Sequence, residues 1–308
     1  MDNANIKAGL IVRTIQGVFW GALSALAPVY VGEVAPFYAR GLFGSLHQLF
    51  IILGICLNNI LGAFVDWKVL IYVGGAINII LAGSIYIVSD SPTSERLKDK
   101  SVKKESLYQK KYARTVISSM TMLFFQQFSG INAILANLSE MMSSSGINLD
   151  ANLQSALSTF AQFIACFIAC FLMDSVGPGI LWMASSFGCF LSLIVYGMSL
   201  VVATPHWVPV LSTFAYCLFF GLGQGPCPWA IFPMSFPDAV RYEGICWMMF
   251  SHWICSFIVC YIHPIFTSMF NEFYAIIIYS ICCFGSLIYG GIFLDMKEDR
   301  ERDDIALL

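Results

Sequence analysis

The chain has 308 residues, of which 58% are hydrophobic, 15% aromatic and only 11% charged. A soluble domain of this length carries about 25% charged residues, so the composition excludes an ordinary soluble protein. The charges are clumped and leave long uncharged stretches between them. This pattern predicts an all-α, polytopic membrane protein surrounded by a lipid bilayer. The net charge of −3 indicates no particular partner, and we expect no nucleic acid among the partners.

Apolar windows of about 20 residues, the length that crosses a bilayer as a helix, occur nine times in the sequence. In chain order the predicted transmembrane helices cover approximately residues 9–32, 41–64, 69–89, 114–139, 153–173, 179–202, 208–234, 244–265 and 273–295. A polar segment at 90–113 separates the first three spans from the last six. We therefore predict three units, which are 1–89 with three spans, 90–113 as a central loop, and 114–308 with six spans and a short tail.

The distribution of basic residues predicts how the helices are oriented. Nine spans place the two termini on opposite sides of the membrane, and 13 of the 16 Lys and Arg residues lie on the side of the central loop. Positive charge in short loops marks the cytoplasmic face. We therefore expect the central loop and the C-terminus in the cytoplasm and the N-terminus outside, in a multi-pass protein of the plasma membrane.

The reactive side chains form no pattern typical of an enzyme or a metalloprotein. All 11 cysteines lie within predicted spans, and none has Cys-x-x-Cys or Cys/His ligand spacing. Neither a disulfide framework nor a metal site is therefore predicted. The sequence also shows no nucleophile with a neighbouring base and no phosphate-binding loop, so we predict neither an enzyme nor a bound cofactor.

A cluster of carboxamides inside the fourth predicted span is the most informative feature of the sequence. Gln126, Gln127 and Asn132 lie close together in an otherwise apolar stretch. Polar amides at this depth are costly unless they pair within the protein or face a watery cavity. One interpretation is a polar path for an uncharged ligand that is rich in hydrogen-bonding groups. The other is that the amides bridge neighbouring helices.

Runs of sequence in several spans resemble motifs of the sugar porters, the hexose facilitators of the major facilitator superfamily. Residues 13–17 (Arg-Thr-Ile-Gln-Gly), 28–36 (Pro-Val-Tyr-Val-Gly-Glu-Val-Ala-Pro), 40–41 (Arg-Gly) and 46–49 (Leu-His-Gln-Leu) resemble the fourth and fifth spans of that family. Residues 126–132 (Gln-Gln-Phe-Ser-Gly-Ile-Asn) resemble its seventh-span sugar motif, 223–229 (Gly-Gln-Gly-Pro-Cys-Pro-Trp) its tenth-span motif, and 251–253 (Ser-His-Trp) occupy the place of an eleventh-span Asn-Trp pair. The motifs occur in the family's order across almost the whole chain.

The resemblance implies a partial major facilitator fold with about nine transmembrane helices. The match begins at the family's fourth span, so residues 1–89 would be the last three spans of the N-terminal half and 114–308 the six-span C-terminal half. We therefore expect the first three spans to be missing, through either a truncated gene model or a genuinely shortened paralogue. On that expectation, the 308 residues alone would not transport at a family-like rate.

By the same resemblance, eight side chains are candidates for contact with a sugar substrate. They are Gln48, Gln126, Gln127, Asn132, Gln162, Phe220, Trp229 and His252. Gln162 falls near the family's eighth-span Asn, and Phe220 can equally be a packing residue. His252 replaces the eleventh-span Asn, and simple packing is the interpretation that we favour for it.

Breaks in two helices are needed to bring these candidates together. Gln127 and Asn132 are five residues apart, which places them about 140° apart around a straight helix. Ser129-Gly130 between them is a natural position for a kink, and broken helices at mid-membrane are how transporters expose polar groups to a substrate.

A second break is predicted in the seventh span, where two prolines precede Trp229. Pro226 and Pro228 cannot complete a helical hydrogen-bond ladder, so the segment should unwind and turn the indole toward a cavity. The flat indole face can pack on the apolar face of a pyranose while Nε1–H donates. The alternative is a tryptophan in the aromatic belt at the membrane surface.

The resemblance also implies a set of charges at the helix ends, where ion pairs between the two halves of a carrier hold one of its states. The matching residues are Arg13, Glu33, Arg40, Asp174 and Arg241. Other positions depart from the family pattern, because residues 174–179 lack the family's arginines and Gly221 and Met234 replace acidic residues. The binding motifs of this sequence therefore match the family pattern more closely than its gating motifs do.

We predict a facilitative carrier for hexose-type sugars that works by alternating access, with a small-molecule sugar as its substrate. One alternative is a membrane relative that binds sugar or a partner without transport, which the lost gating charges favour. Another is a proton-coupled sugar symporter, whose proton site in this family lies in the first span and so outside the match. The oligomeric state is not predicted.

Overall fold

The computed structural model describes residues 3–92, 94–95, 105–143 and 151–294. Residues 96–104 of the predicted central loop and 295–308 of the predicted tail lie outside the described residues.

Every regular element within these described ranges is a helix. Before the central loop lie α1 (Asn3–Val34), α2 (Arg40–Gly62) and α3 (Trp67–Ser84), with short 3₁₀ helices at Phe37–Ala39 and Ile85–Ile87. After it follow α4 (Lys110–Phe128), α5 (Ile131–Ser143), α6 (Ala151–Leu172), α7 (Pro178–Ser199), α8 (Trp207–Leu222), α9 (Cys227–Ser235), α10 (Arg241–Met269) and α11 (Glu272–Phe293). The predicted all-α class is confirmed.

Eight helices in the described part of the chain are long and apolar enough to cross a membrane. They correspond to eight of the nine predicted spans, and the segment Trp207–Phe232 includes both α8 and α9. The remaining predicted span, 114–139, is divided between α4 and α5. The number of candidate spans is therefore one fewer than predicted, because the helix of the fourth predicted span ends at the break foreseen between Gln127 and Asn132.

The helices after the central loop pack around a shared core. α7 packs against α8 and α11, α6 packs against α8, and α10 packs against α4. Trp182 of α7 is fully buried, and its Nε1 donates to the carbonyl of Ser286 at 3.1 Å. α2 packs along α6 and against α9, whereas α3 contacts α2 and has no buried residue. α2 is thus the helix of the first unit (residues 1–89) that packs most closely against the second unit (residues 114–308).

The break between α4 and α5 is built around Gly130. Its φ is +88°, a backbone conformation that residues with a side chain rarely adopt. A Cβ at this position would also collide with the ring of Tyr279 on α11. Backbone conformation and close packing therefore both require glycine here.

The break between α8 and α9 follows from its two prolines. Pro228 has no N–H to donate to the carbonyl of Gln224 four residues earlier. The N–H of Trp229 bonds to Pro226 at 3.2 Å rather than to Gly225. The carbonyls of Gln224 and Gly225 thus have no partner in their own helix, and buried carbonyls of this kind need one elsewhere.

Candidate functional site

The two broken helices meet through the side chain of Gln126 at the end of α4. Its Nε2 donates to the carbonyl of Gln224 at 2.7 Å and to that of Gly225 at 3.2 Å. These are the two carbonyls that the proline break leaves without helical partners. Because its amide N–H groups donate to the backbone of the α8–α9 break, the structure favours the helix-bridging interpretation over direct substrate contact for this residue.

Gln127, Asn132 and His252 form a connected polar strip across the first break. Asn132 Nδ2 donates to Gln127 Oε1 at 2.6 Å and to Ser256 Oγ at 2.9 Å. Gln127 Nε2 lies 3.1 Å from His252 Nδ1. The kink thus brings together two amides that a straight helix would separate, as predicted.

The tautomer of His252 follows from this arrangement. Gln127 Oε1 accepts from Asn132, so the group that faces His252 Nδ1 is the amide N–H. Nδ1 must then accept, which places the proton of the neutral imidazole on Nε2. The ring is therefore held by hydrogen bonding as well as by packing.

Trp229 connects this strip to α2. Its Nε1 donates to Gln48 Oε1 at 3.0 Å. Its ring meets two imidazoles edge-on, His47 with a centroid distance of 4.9 Å and His252 with one of 5.4 Å. Because Trp229 contacts α2 and α10 at once, it lies between the first unit and the second rather than in an interfacial belt.

Gln162 and Phe220 lie beside this group and are both buried. The carbonyl oxygen of Gln162 (Oε1) has no hydrogen-bond partner among the described residues. The backbone of Gln162 on α6 lies against Gly221, where a Cβ would collide with its carbonyl. Gly221 therefore lets α6 and α8 pack closely. Phe220 packs near Tyr216, with ring centroids 6.3 Å apart.

Four of the five predicted gating charges lie at one end of the bundle. Arg241 Nη1, at the start of α10, lies 3.3 Å from Glu33 Oε1 at the end of α1 and 2.7 Å from Asp238 Oδ1. Arg241 Nε also donates to the carbonyl of Phe236 at 3.1 Å. This ion pair is buried and joins α1 to α10, so it connects the two predicted halves.

Asp174 makes a second connection at the same end. Its Oδ1 accepts from the N–H of Gly41 and its Oδ2 from the N–H of Leu42, both at 2.9 Å. A carboxylate that accepts two free N–H groups at a helix N-terminus also interacts favourably with the helix dipole. Asp174, which follows α6, thus caps α2, and Arg40 begins that capped helix.

The structure separates Arg13 from the other four charges. Arg13 is exposed on α1, and about 30 Å of helix lies between it and Glu33 at 1.5 Å per residue. Among the described residues its side chain bonds to Gln16 Oε1 at 3.4 Å. Arg13 therefore lies at the opposite end of α1 from Glu33, and its role as a gating or structural charge stays a prediction.

The end of the central loop binds to the turn between α9 and α10 and to the start of α10. The N–H of Glu105 donates to the carbonyl of Ala239 at 3.3 Å, and that of Leu107 donates to Glu243 Oε2 at 3.4 Å. Hydrogen bonds from Lys111 and then Tyr112 lower the pKa of Glu105. The stabilisation from this group is therefore present above the ordinary glutamate pKa and is lost as pH falls through the lowered one.

Asp174→Asn is expected to loosen the contact between α2 and α6 and to lower the thermal stability of the protein by a few degrees. The asparagine keeps one acceptor but places an amide N–H against a backbone N–H, at a cost of about 1–2 kcal/mol. The measurement is the temperature at which the purified protein loses its monodisperse peak in detergent. Ser175→Ala is the control, since Ser175 is exposed and bonds to the carbonyls of Phe171 and Leu172 at the end of α6. An equal shift in the two variants would contradict the capping role.

Two residues of this group were not singled out from the sequence. His47 packs on Trp229, and Gln224 supplies a carbonyl to Gln126. Both stand inside motifs that were recognised, next to Gln48 and within 223–229. Both are polar residues inside predicted apolar spans, and this feature of the sequence could have identified them.

The comparison with known families decides the class of the protein. The family described as "Sugar (and other) transporter" matches residues 2–110 and 93–299. The chain belongs to this family. It is thus a sugar porter of the major facilitator superfamily, as the motifs predicted, and it is a membrane protein rather than an enzyme.

Relatives with assigned names include two insect transporters. The chain is 27% identical over 341 residues to the facilitated trehalose transporter Tret1 of Bombyx mori, covering 96% of this chain and 67% of the relative. It is 25% identical over 345 residues to the facilitated trehalose transporter Tret1-1 of Drosophila simulans, covering 98% of this chain and 40% of the relative. The chain thus spans between two fifths and two thirds of the length of these relatives.

Solved structures agree with the fold. The major facilitator proton:xylose symporter XylE bound to 6-bromo-6-deoxy-D-glucose superimposes with a TM-score of 0.74 at 20% identity, over 88% of this chain and 67% of that one. The fucose:proton symporter FucP of E. coli gives a TM-score of 0.59 at 14% identity, over 87% and 72%. At such identities the similarity shows the major facilitator fold alone.

Proposed function

We propose that this chain forms the sugar-binding part of a facilitative carrier that works by alternating access. The observation that carries the proposal is the continuous group formed by Gln48, Trp229, His252, Gln127 and Asn132 where two broken helices meet α2. Broken helices at mid-membrane provide such sites in transporters, and the two halves of the carrier move around them.

The group has the chemistry of a site for an uncharged polyol. Gln48, Asn132 and His252 are half-buried, whereas Gln127 and Trp229 are almost fully buried behind them. Gln48 accepts from Trp229 through Oε1 and keeps its amide N–H groups for a ligand. Amides both donate and accept, as sugar hydroxyls do, and no charged side chain belongs to the group.

A hexose ring is the substrate unit that we propose. The indole of Trp229 offers an apolar face to the C–H face of a pyranose, and the amides around it can bind the ring hydroxyls. Because the named relatives carry trehalose, which consists of two glucose units, the disaccharide is a candidate beside free glucose.

The contacts at the helix ends support alternating access. The Arg241–Glu33 pair and the Asp174 cap both connect elements of the first unit to elements of the second. Such contacts can hold one state of a carrier and break in the other. They favour a carrier over a relative that binds sugar without transport, even though other gating charges of the family are replaced here.

Binding and uptake together test the proposal. Radiolabelled glucose and trehalose are first bound to the purified chain in detergent, and their uptake is then measured in proteoliposomes. Saturable binding of at least one sugar, competed by the unlabelled sugar but not by an equal concentration of glycerol, is the expected result. Absence of binding would remove the site. Binding without uptake in a chain extended by the first three spans of a close relative would instead support the non-transporting alternative.

We also propose a plasma-membrane location with the C-terminus in the cytoplasm. An epitope tag placed after Leu308 is expected to bind antibody in permeabilised cells only, because 10 of the 16 Lys and Arg residues lie in 90–113 and 296–308. The outcome that contradicts this orientation is antibody binding to intact cells. Arg114 and Arg241 would then lie outside, against the usual charge distribution.

A further inference from the structure

Gln224 stands at the centre of a buried polar network that the proposed sugar site does not include. Its Nε2 donates to Ser186 Oγ at 3.0 Å and to Ser286 Oγ at 3.1 Å, and its backbone N–H donates to Ser185 Oγ at 2.8 Å. Its backbone carbonyl accepts from Gln126 Nε2 at 2.7 Å. The side chains of Gln224 and of the three serines are fully buried, so none of them can touch a substrate directly.

This network ties the α8–α9 break to three other helices. Ser185 and Ser186 belong to α7, Ser286 belongs to α11, and Gln126 belongs to α4. An unwound segment has few hydrogen bonds of its own to fix its position, and so its geometry depends on such external partners. The position of Trp229, five residues after Gln224, depends on that geometry.

The same network also sets the position of the amides on α4. Gln126 is held by the carbonyls of Gln224 and Gly225, and its neighbour Gln127 carries the contacts to Asn132 and His252. A shift of the α8–α9 break would therefore move the amide strip and the indole relative to each other.

We infer that Gln224 is a positioning residue of the sugar site, which holds the α8–α9 break so that Gln127 and Trp229 face the same substrate. The inference rests on the proposed function. It assigns a purpose to a polar side chain that is fully buried in a membrane protein.

Gln224→Met is the decisive variant, because methionine has nearly the same volume and no hydrogen-bonding group. The two acceptors that it leaves still bond to each other, since Ser186 Oγ and Ser286 Oγ lie 2.8 Å apart. The folded protein should therefore survive. Its affinity for labelled glucose and trehalose, per mole of monodisperse protein, is expected to fall about 5- to 10-fold, the effect of losing roughly one hydrogen bond.

Matched serine variants test whether Gln224 acts through its partners. Ser186→Ala should weaken sugar binding, and combining it with Gln224→Met should add little, as for two members of one network. Ser192→Ala is the control on the same helix, because Ser192 Oγ bonds to the carbonyl of Gly188 in its own helix at 2.8 Å. It is expected to leave the affinity unchanged.

A second readout needs no ligand. Cys227, three residues after Gln224, is fully buried, and its Sγ–H donates to the carbonyl of Pro178 at 3.3 Å. Cys217 is equally buried on the intact part of α8. In Gln224→Met the rate of N-ethylmaleimide alkylation at Cys227 is expected to rise on the order of tenfold through local opening, with no change at Cys217.

The outcomes separate this inference from the proposed function. Unchanged alkylation at Cys227, or unchanged sugar affinity in Gln224→Met, would overturn the positioning role while the site itself could stand. If the unsubstituted chain binds neither sugar, the proposed function fails, and the positioning role fails with it whatever Cys227 shows.

Discussion

Gly130→Ala is expected to lower the yield of folded protein sharply and to weaken sugar binding in the fraction that remains. The backbone at Gly130 has a φ of +88°, and the added methyl group would meet the ring of Tyr279. Left-handed backbone costs about 1–2 kcal/mol for a residue with a side chain, and overpacking adds about 1–3 kcal/mol. Relief of this strain would move α5 and with it Asn132, whose bond to Gln127 is 2.6 Å long.

A second glycine can separate the cost of the left-handed backbone from the cost of the collision with Tyr279. Gly177 has a φ of +95°, and a Cβ there would meet no atom within 4 Å. Gly177→Ala should therefore show the backbone cost without the collision and should leave sugar affinity unchanged. The measurements are the yield of monodisperse protein, its thermal stability in detergent and its affinity for labelled sugar.

A double-mutant cycle with Tyr279 tests the collision directly. Tyr279→Ala removes the ring, although it also removes the hydrogen bond between its hydroxyl and His263 Nδ1, which are 3.0 Å apart. If the collision dominates, the double variant should be less destabilised than the sum of the two single variants. Strictly additive effects would show that the ring does not constrain the break.

The positions of both helix breaks were predictable from the sequence for local reasons. Two amides about 140° apart around a helix cannot share a face, and Pro226 and Pro228 cannot donate to a helical ladder. These constraints act within a few residues, so sequence spacing is enough to find them. The overall class followed from composition in the same way.

The role of Gln126 was not predictable in this manner. Its partners are the carbonyls of Gln224 and Gly225, about a hundred residues away, and only the assembled structure shows that these carbonyls are free and within reach. The sequence motif alone gives no reason to assign different roles to Gln126 and Gln127. The structure distinguishes them, because one faces a broken backbone and the other faces Asn132 and His252.

The charged residues show the same limit of prediction from the sequence alone. Glu33 and Arg241 form an ion pair between the two predicted halves, whereas Arg13 lies on the same helix as Glu33 but at its other end. A motif fixes which residue types are present, and the length of the helix decides which of them can meet.

Gln127→Ala and Trp229→Ala are expected to weaken sugar binding about 5- to 30-fold each, corresponding to about 1–2 kcal/mol for a lost hydrogen bond or stacking contact. Gln127→Ala removes the acceptor for Asn132 and the donor to His252. Trp229→Ala removes the apolar face and frees Gln48 from its bond to the indole. In both variants the affinity should change more than the amount of folded protein.

Controls of the same residue types lie elsewhere in the membrane helices. Asn78 on α3 is an exposed amide that bonds to the carbonyl of Gly74 in its own helix at 2.8 Å, and Trp207 at the start of α8 is 58% exposed. Asn78→Ala and Trp207→Ala should leave the affinity unchanged. Equal affinity in the unsubstituted chain, Gln127→Ala and Trp229→Ala would remove the site assignment. A loss of folded protein with unchanged affinity in the remainder would show that both side chains only pack the helices together.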